Sequence, residues 1–212
     1  MNIAIDIDGV LGDDVGAFVK FHNEKYNTNL KKQDFYCNKW WLVLNEEVQV
    51  LYKKYLEYID SNYFKDMGTI KGSIEALKEL GKNHNLFVLT ARKNEWMDVT
   101  KKWLDKNFPG IFNEIYSTNF HTFKKKKGVN KGEICKRIKA DYLIDDFVEH
   151  ANECTNVGTE VLLLDSPWNQ NYELLPHIYR MKDWNEIIEY INRFFLPELP
   201  VRYSQKPIIP LL

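Results

Sequence analysis

The stretch Ile3-Ala4-Ile5-Asp6-Ile7-Asp8-Gly9-Val10-Leu11 constrains this chain more than any other. Its apolar run has the composition of a strand buried on both faces, which belongs near the centre of a parallel sheet. Alternation puts Ile3, Ile5 and Ile7 on one face and Ala4, Asp6 and Asp8 on the other, with the two carboxylates about 6–7 Å apart. Two negative charges at the end of a buried strand repel each other unless a cation or a proton neutralises them. Mg²⁺ suits such a pair, because it takes a few carboxylates and keeps waters that a phosphate can replace. A calcium loop of the EF-hand type begun at Asp6 requires glycine at position 11 and glutamate at position 17, where the chain has Leu11 and Ala17. The bland alternative, an Asp-Gly turn with solvated carboxylates, is judged against the rest of the chain.

After this strand the pattern becomes helical from Asp14, with Val15, Phe18, Val19 and His22 at three- and four-residue spacing up to Asn27-Thr28-Asn29. A polar, aromatic-dotted connection through Phe35, Tyr36, Trp40 and Trp41 follows. Asn45-Glu46-Glu47 can then cap a helix carrying Val48, Leu51, Tyr52, Tyr55 and Ile59. Residues 14–67 therefore read as a small helical cap inserted after the first strand. From Gly68 onward helices and strands alternate. A helix through Ile74, Leu77 and Leu80 precedes a strand at 86–90, a helix at 96–108 and a short strand at 115–117. A helix opening at Lys131 then leads to strands at 142–146 and 161–165 and a closing helix at 183–195. This order predicts an α/β fold, a doubly wound parallel sheet of the Rossmann type whose ligands bind at the carboxyl ends of its strands. Residues 1–13 and 68–195 form its core, and the proline-bearing segment 196–212 reads as an extended arm, packed on the surface or on a second subunit of a homodimer.

With 29 basic and 30 acidic side chains in 212 residues, no net field draws the chain to a nucleic-acid polymer or a membrane. No apolar run is long enough to span a bilayer. Cys37, Cys135 and Cys154 lack metal-ligand spacing and point to a reducing, cytoplasmic location. His22, His84, His121, His150 and His177 show no ligand spacing and read as structural or exposed. Lys124 to Lys127 reads as a solvated loop.

Three strand ends bring Asp6 with Asp8, Thr90, and Asp145 with Asp146 to one edge of the sheet, and Lys131 opens the helix that feeds the last of these strands. These residue types can transfer a phosphoryl group. The reaction needs a cation and donors to neutralise phosphate oxygens, a nucleophile in line, and an acid to protonate the departing alkoxide. Asp6 and Asp146, with the backbone carbonyl of Asp8, can hold Mg²⁺, while the Thr90 hydroxyl and Lys131 ammonium hold the remaining oxygens. Arg92 either reaches the substrate or pins its loop to an acid.

The order DxDGVL at Asp6 to Leu11, LTAR at Leu89 to Arg92, Lys131, and LIDD at Leu143 to Asp146 resembles the four-motif set of the haloacid dehalogenase superfamily. More narrowly, the cap placed straight after DxDGVL and the segment Leu164-Asp165-Ser166-Pro167-Trp168-Asn169 resemble the 5′(3′)-deoxyribonucleotidase family and its bacterial relatives. The resemblance covers about residues 1–195. It implies that Asp6 is a nucleophile forming an aspartyl-phosphate, and that Asp8 gives a proton to the leaving oxygen and later takes one from the hydrolytic water. It further implies that Thr90 and Lys131 bind phosphate oxygens and that Asp146 is a direct Mg²⁺ ligand. Asp145 would hold Lys131 or a metal-bound water, and at this stage the two acids are interchangeable. The implied substrate is a small phosphoester, a nucleoside 5′-monophosphate. Phe18, Phe35, Tyr36, Trp40 and Trp41 suit stacking on its base at about 1–3 kcal/mol per ring, although packing within the cap is the commoner use of such aromatics. Asp14 departs from the resemblance. It stands just after DxDGVLxD, where the deoxyribonucleotidases carry an aromatic that packs on the base. Two alternatives share parts of this chemistry: a phosphatase for another small phosphoester, and a phosphorylatable receiver module with a similar Asp, Thr and Lys set. The insertion after the first strand, and the acid/base supplied by Asp8, argue against a receiver.

Overall fold

The computed structural model describes residues 1–119 and 129–193. Ile3, Ala4 and Ile5 are fully buried in β1 (Asn2–Ile5), as a two-faced apolar run requires. β1 pairs in parallel with β2 (Asn85–Thr90) on one side and β4 (Tyr142–Asp145) on the other. With β3 (Glu114–Ser117), β5 (Glu160–Leu164) and β6 (Ile178–Met181) they form one parallel sheet in the order β3-β2-β1-β4-β5-β6. Strand order reverses direction at β1, so a crevice opens at the carboxyl ends of β1 and β4.

Two features differ from the sequence expectation. β6 was not foreseen: it pairs only with β5, and of its four residues only Ile178 and Met181 are buried, so it lacks the apolar run of the inner strands. The first strand also stops before its carboxylates. The Asp6 N–H still donates to the Ile144 carbonyl at 3.0 Å, but the Ile7 carbonyl then accepts from Val10, Leu11 and Gly12. The chain curls through Gly9 at φ 77°, a left-handed conformation that glycine adopts without strain. Asp6 and Asp8 are thus presented by a turn and not by two positions of one extended face.

Between β1 and α5 (Ser73–Leu80) lie α1 (Asp14–Tyr26), α2 (Trp40–Val43), α3 (Val48–Asp60) and α4 (Asn62–Lys65). Asp13 caps α1 by accepting from the Gly16 N–H at 3.3 Å. The insertion packs around Phe18, whose ring meets those of Trp40, Tyr58 and Phe35 at centroid distances of 4.7, 5.4 and 6.1 Å. Outgoing and returning chains run side by side. Gly12 and Thr69 form an antiparallel bridge, the Asp13 N–H donates to the Gly68 carbonyl and the Ile70 N–H to the Leu11 carbonyl, both at 2.8 Å.

α5, α6 (Met97–Asn107) and α9 (Trp184–Asn192) cover one face of the sheet through Leu77, Trp103 and Ile187 against Ile3 and Ile5. α7 (Lys131–Ile138) and α8 (Val148–Thr155) cover the other through Ile134 and Ala151 against Ala4 and Leu143. Each of the larger aliphatic side chains among these, taken from water, stabilises the fold by about 1.5–3 kcal/mol. Among the described residues no helix is long and apolar enough to cross a membrane. The readings of His121, of Lys124 to Lys127 and of the arm at 196–212 fall outside the described residues.

Candidate active site

The carboxyl ends of β1 and β4 set Asp6 and Asp145 side by side, and Lys131 joins them. Asn130 caps α7 by accepting from the Glu133 N–H at 2.8 Å, which puts Lys131 in the first turn. Its ammonium, fully buried, lies 2.9 Å from Asp6 Oδ2 and 2.7 Å from Asp145 Oδ2. The close approach of α7 to α8 depends on Gly132, where a Cβ would stand 2.3 Å from the Glu153 carbonyl oxygen. Burial opposes the Lys131 charge, but Asp145 and Asp6 together hold its pKa above the ordinary lysine value.

Asp145 and Asp146 are not interchangeable in this geometry. Asp145 Oδ1 accepts from the backbone N–H groups of Asp146 and Phe147, each at 2.9 Å, while Oδ2 takes Lys131. Burial alone would raise this carboxyl, yet Lys131 and His150 hold it below the usual carboxylate range. Asp146 instead lines a cavity, with Oδ2 accepting from Trp168 Nε1 at 2.8 Å and its carbonyl accepting from Asn169 Nδ2 at 2.9 Å. Gly9 lets the motif turn lie against it: a Cβ there would fall 2.0 Å from Asp146 Oδ2.

Asp8 sits at the cavity floor in a two-point pair with Arg92. Nε donates to Oδ2 at 2.9 Å and Nη2 to Oδ1 at 2.6 Å. Arg92 also donates from Nη1 to Thr100 Oγ1 at 3.1 Å and lies over the Phe64 ring. Of the two roles open to Arg92, the structure realises the pinning of an acid, although its side chain also lines the cavity. Thr90 is fully buried and its Oγ1 accepts from the Arg92 N–H at 3.1 Å. Neither Thr90 nor Lys131 contributes to the lining.

The cavity measures about 320 Å³, within the range of small-molecule sites. Asp6, Asp8 and Asp146 line it together with Trp40, Trp41, Tyr52, Tyr55 and Trp96. Of the five aromatics expected to meet a ligand, Trp40 and Trp41 reach it. Phe18 and Phe35 do not, being fully buried in the insertion's own packing, and Tyr36 does not, being 51% exposed on the outside. Tyr52, Tyr55 and Trp96 were missed because their spacing is that of a helix face packed on a core. Lys93 was missed too: its ammonium lies 2.8 Å from the Tyr52 hydroxyl and 4.8 Å from the Trp96 ring centre, tying the loop after β2 to α3. His150, read as structural or exposed, lines the cavity, with Nδ1 3.5 Å from Asp145 Oδ2.

The carboxylates at this site are crowded enough to take up a proton or a cation. Burial pushes the Asp6 carboxyl up to about 6 against the pull of Lys131, and burial with the charges of Asp145 and Asp6 pushes Asp146 well above its ordinary value. Asp6 Oδ1 is buried with no hydrogen-bond partner among the described residues. An orphaned carboxylate oxygen beside a second crowded carboxylate is an all-oxygen donor set that fits a hard divalent ion. Asp6, Asp145 and His150 also bring one ligand atom each within 4.8 Å of one another. The oxygens of Asp145 are already taken by Lys131 and two N–H groups, so Asp6 with Asp146 is the better pair.

A parallel sheet with an insertion after its first strand, and acids just past β1 and at the end of β4, has the architecture of the haloacid dehalogenase fold. The solved structures agree: a haloacid dehalogenase-like hydrolase of Streptococcus pneumoniae superposes with a TM-score of 0.64 at 13% identity, covering 90% of this chain and 97% of the other. A HAD-hydrolase of Bacillus subtilis bound to magnesium gives 0.62 at 14% identity, covering 90% and 98%. The chain belongs to the family described as 5′ nucleotidase, deoxy (pyrimidine), cytosolic type C, whose model matches residues 1–195. It is similar to a nucleotidase of Clostridium acetobutylicum, 26% identical over 92% of this chain and 95% of that protein. It is also similar to the 5′(3′)-deoxyribonucleotidase of Bacillus subtilis, 28% identical over 87% and 95%. Membership makes the chain an enzyme of the phosphoric monoester hydrolase class and sets aside the receiver alternative.

Proposed function

We propose that this chain hydrolyses (deoxy)nucleoside 5′-monophosphates, with Mg²⁺ as cofactor, through an aspartyl-phosphate on Asp6. The observation that carries this reading is the Asp6 side chain: one oxygen fixed by Lys131 at 2.9 Å, the other buried and unpartnered, in the lining of an aromatic-rich cavity. Asp6 and Asp146, with the Asp8 carbonyl, would hold the metal, whose bound charge offsets that of the phosphate.

In the first step an Asp6 oxygen attacks phosphorus, the bond from phosphorus to the leaving oxygen breaks, and Asp8, entering the step protonated with one oxygen released from Arg92, gives its proton to the departing alkoxide. In the second, water attacks the aspartyl-phosphate, Asp8 takes its proton, and phosphate leaves with Asp6 restored. Lys131, which meets the site through Asp6 at 2.9 Å, and the buried Thr90 hydroxyl would supply donors at the phosphate end, although neither lines the cavity itself. Trp40, Trp41, Tyr52, Tyr55 and Trp96 offer the flat faces on which a base stacks. The names of the relatives support the nucleotide over other phosphoesters.

The test is a panel of nucleoside monophosphates and sugar phosphates assayed for phosphate release with Mg²⁺. Nucleotide turnover that Asp6→Asn abolishes supports the reading. Turnover confined to sugar phosphates would replace the substrate, and none at all would remove the activity.

A further inference from the structure

Asp14, the first residue of α1, is only 5% exposed, yet it lines the cavity with Asp8 and Val15. Its Oδ1 accepts from the Tyr58 hydroxyl at 2.7 Å, a group 3.1 Å from the Asp14 carbonyl as well. Oδ2 has no hydrogen-bond partner among the described residues. Arg92, a neighbouring cation, is occupied by Asp8, Thr100 and Met67. Val15, Leu51, Trp40 and Tyr55 line the same cavity and give the wall a largely apolar character. Burial of the residue with the Asp8 charge pushes this carboxyl up to about 7. Tyr58 holds Oδ1, which leaves Oδ2 as the oxygen open to a ligand in the cavity that Asp14 lines.

We infer that Asp14 is a specificity-determining residue whose Oδ2 accepts a hydrogen bond from a hydroxyl or N–H on the leaving group of the substrate. This rests on the phosphomonoesterase reading above and adds the polarity of the leaving group to it. The group bound there carries a donor, supplied by the sugar or by the base. A leaving group with a second anion at that place meets a like charge and is rejected.

The experiment compares wild type, Asp14→Asn and Asp14→Leu, loaded with Mg²⁺ and assayed well above pH 7, where the carboxyl is ionised. Asparagine keeps an Oδ1 for Tyr58 and replaces Oδ2 by an N–H donor; leucine removes both, and melting curves check that each variant is folded. The readout is kcat/KM for ribo- and deoxyribonucleoside 5′-monophosphates, with and without a base amino group, divided by kcat/KM for phenyl phosphate, whose leaving group keeps no donor once esterified. The ratio is expected to fall about 10- to 100-fold in Asp14→Asn. A fall confined to ribonucleotides assigns the 2′-hydroxyl, one common to every nucleotide assigns the 3′-hydroxyl, and one that follows the base amino group assigns the base. An unchanged ratio in folded Asp14→Asn overturns the inference while the phosphomonoesterase reading stands. Wild type inert on every substrate, phenyl phosphate included, overturns both.

Discussion

Arg92 grips both carboxylate oxygens of Asp8, an acid 84 residues away in sequence, at 2.9 and 2.6 Å. The guanidinium is 3% exposed and the carboxylate 30%, so a buried cation holds the Asp8 side chain in one orientation at the cavity floor. Lysine cannot reproduce a planar two-point contact. Arg92→Lys is therefore expected to lower kcat about 10- to 100-fold with KM nearly constant, and Arg92→Ala to lower it further, since a positioned acid/base contributes about 10²- to 10⁴-fold. Steady-state kinetics on a nucleotide and on phenyl phosphate check this; equal kcat in wild type and Arg92→Ala would show that the pair is structural only.

Asp6 and Asp146 repel each other in the metal-free protein, so Mg²⁺ should raise the melting temperature through preferential binding to the folded state. The rise should vanish in Asp146→Asn. In Trp168→Phe, which removes the 2.8 Å hydrogen bond to Asp146, the Mg²⁺ concentration needed should increase about 10- to 100-fold. Thermal denaturation with and without chelator measures both without reference to turnover.

The insertion's aromatics should divide into two groups. Phe18, fully buried, should lose about 3–5 kcal/mol of stability on change to alanine. Trp41, partly exposed at the cavity, should leave stability nearly unchanged while KM for a nucleotide rises by the equivalent of about 1–3 kcal/mol. Urea denaturation and kinetics on the same preparations would show whether the roles are reversed.

Asp14 should make stability depend on pH. Burial and the Asp8 charge raise its carboxyl from the ordinary 3.8 to about 7 in the fold. A raised folded pKa means that the folded state holds the proton more tightly, so this contribution is full below about pH 4 and is lost as pH rises through 7. Asp14→Asn should match wild type near pH 4 and become progressively more stable than it toward pH 8, as read from urea midpoints at constant salt. Parallel curves for the two proteins would disprove the assignment.

The sequence disclosed which residues meet more readily than how they meet. Asp6, Thr90 and Asp145 were legible because few polar residue types survive at the ends of buried strands unless they are paired, and Lys131 because it opens the helix that feeds the strand of Asp145. The end of β1 was misread because alternation assumes an extended backbone, whereas the Ile7 carbonyl gathers three N–H groups into a turn. β6 escaped because an edge strand needs only two buried side chains. Tyr52 and Tyr55 lie on a stripe of α3 whose period is the same whether it faces a core or a cavity wall. The Asp8–Arg92 pair, bridging 84 residues, has no local signature at all.

The bridge between Gly12 and Thr69 makes the outgoing and returning chains of the insertion a two-stranded ribbon, closed by hydrogen bonds of 2.8 Å on either side. Because both ends meet at one place, the sheet does not register how many residues lie between them. The segment between them is also tied to the site directly: the Phe64 ring lies 4.4 Å from the Arg92 guanidinium that holds Asp8, and the Tyr52 hydroxyl takes Lys93 at 2.8 Å. A change in its length is absorbed at the ribbon, whereas a change in its lining is felt at Asp8 through Arg92.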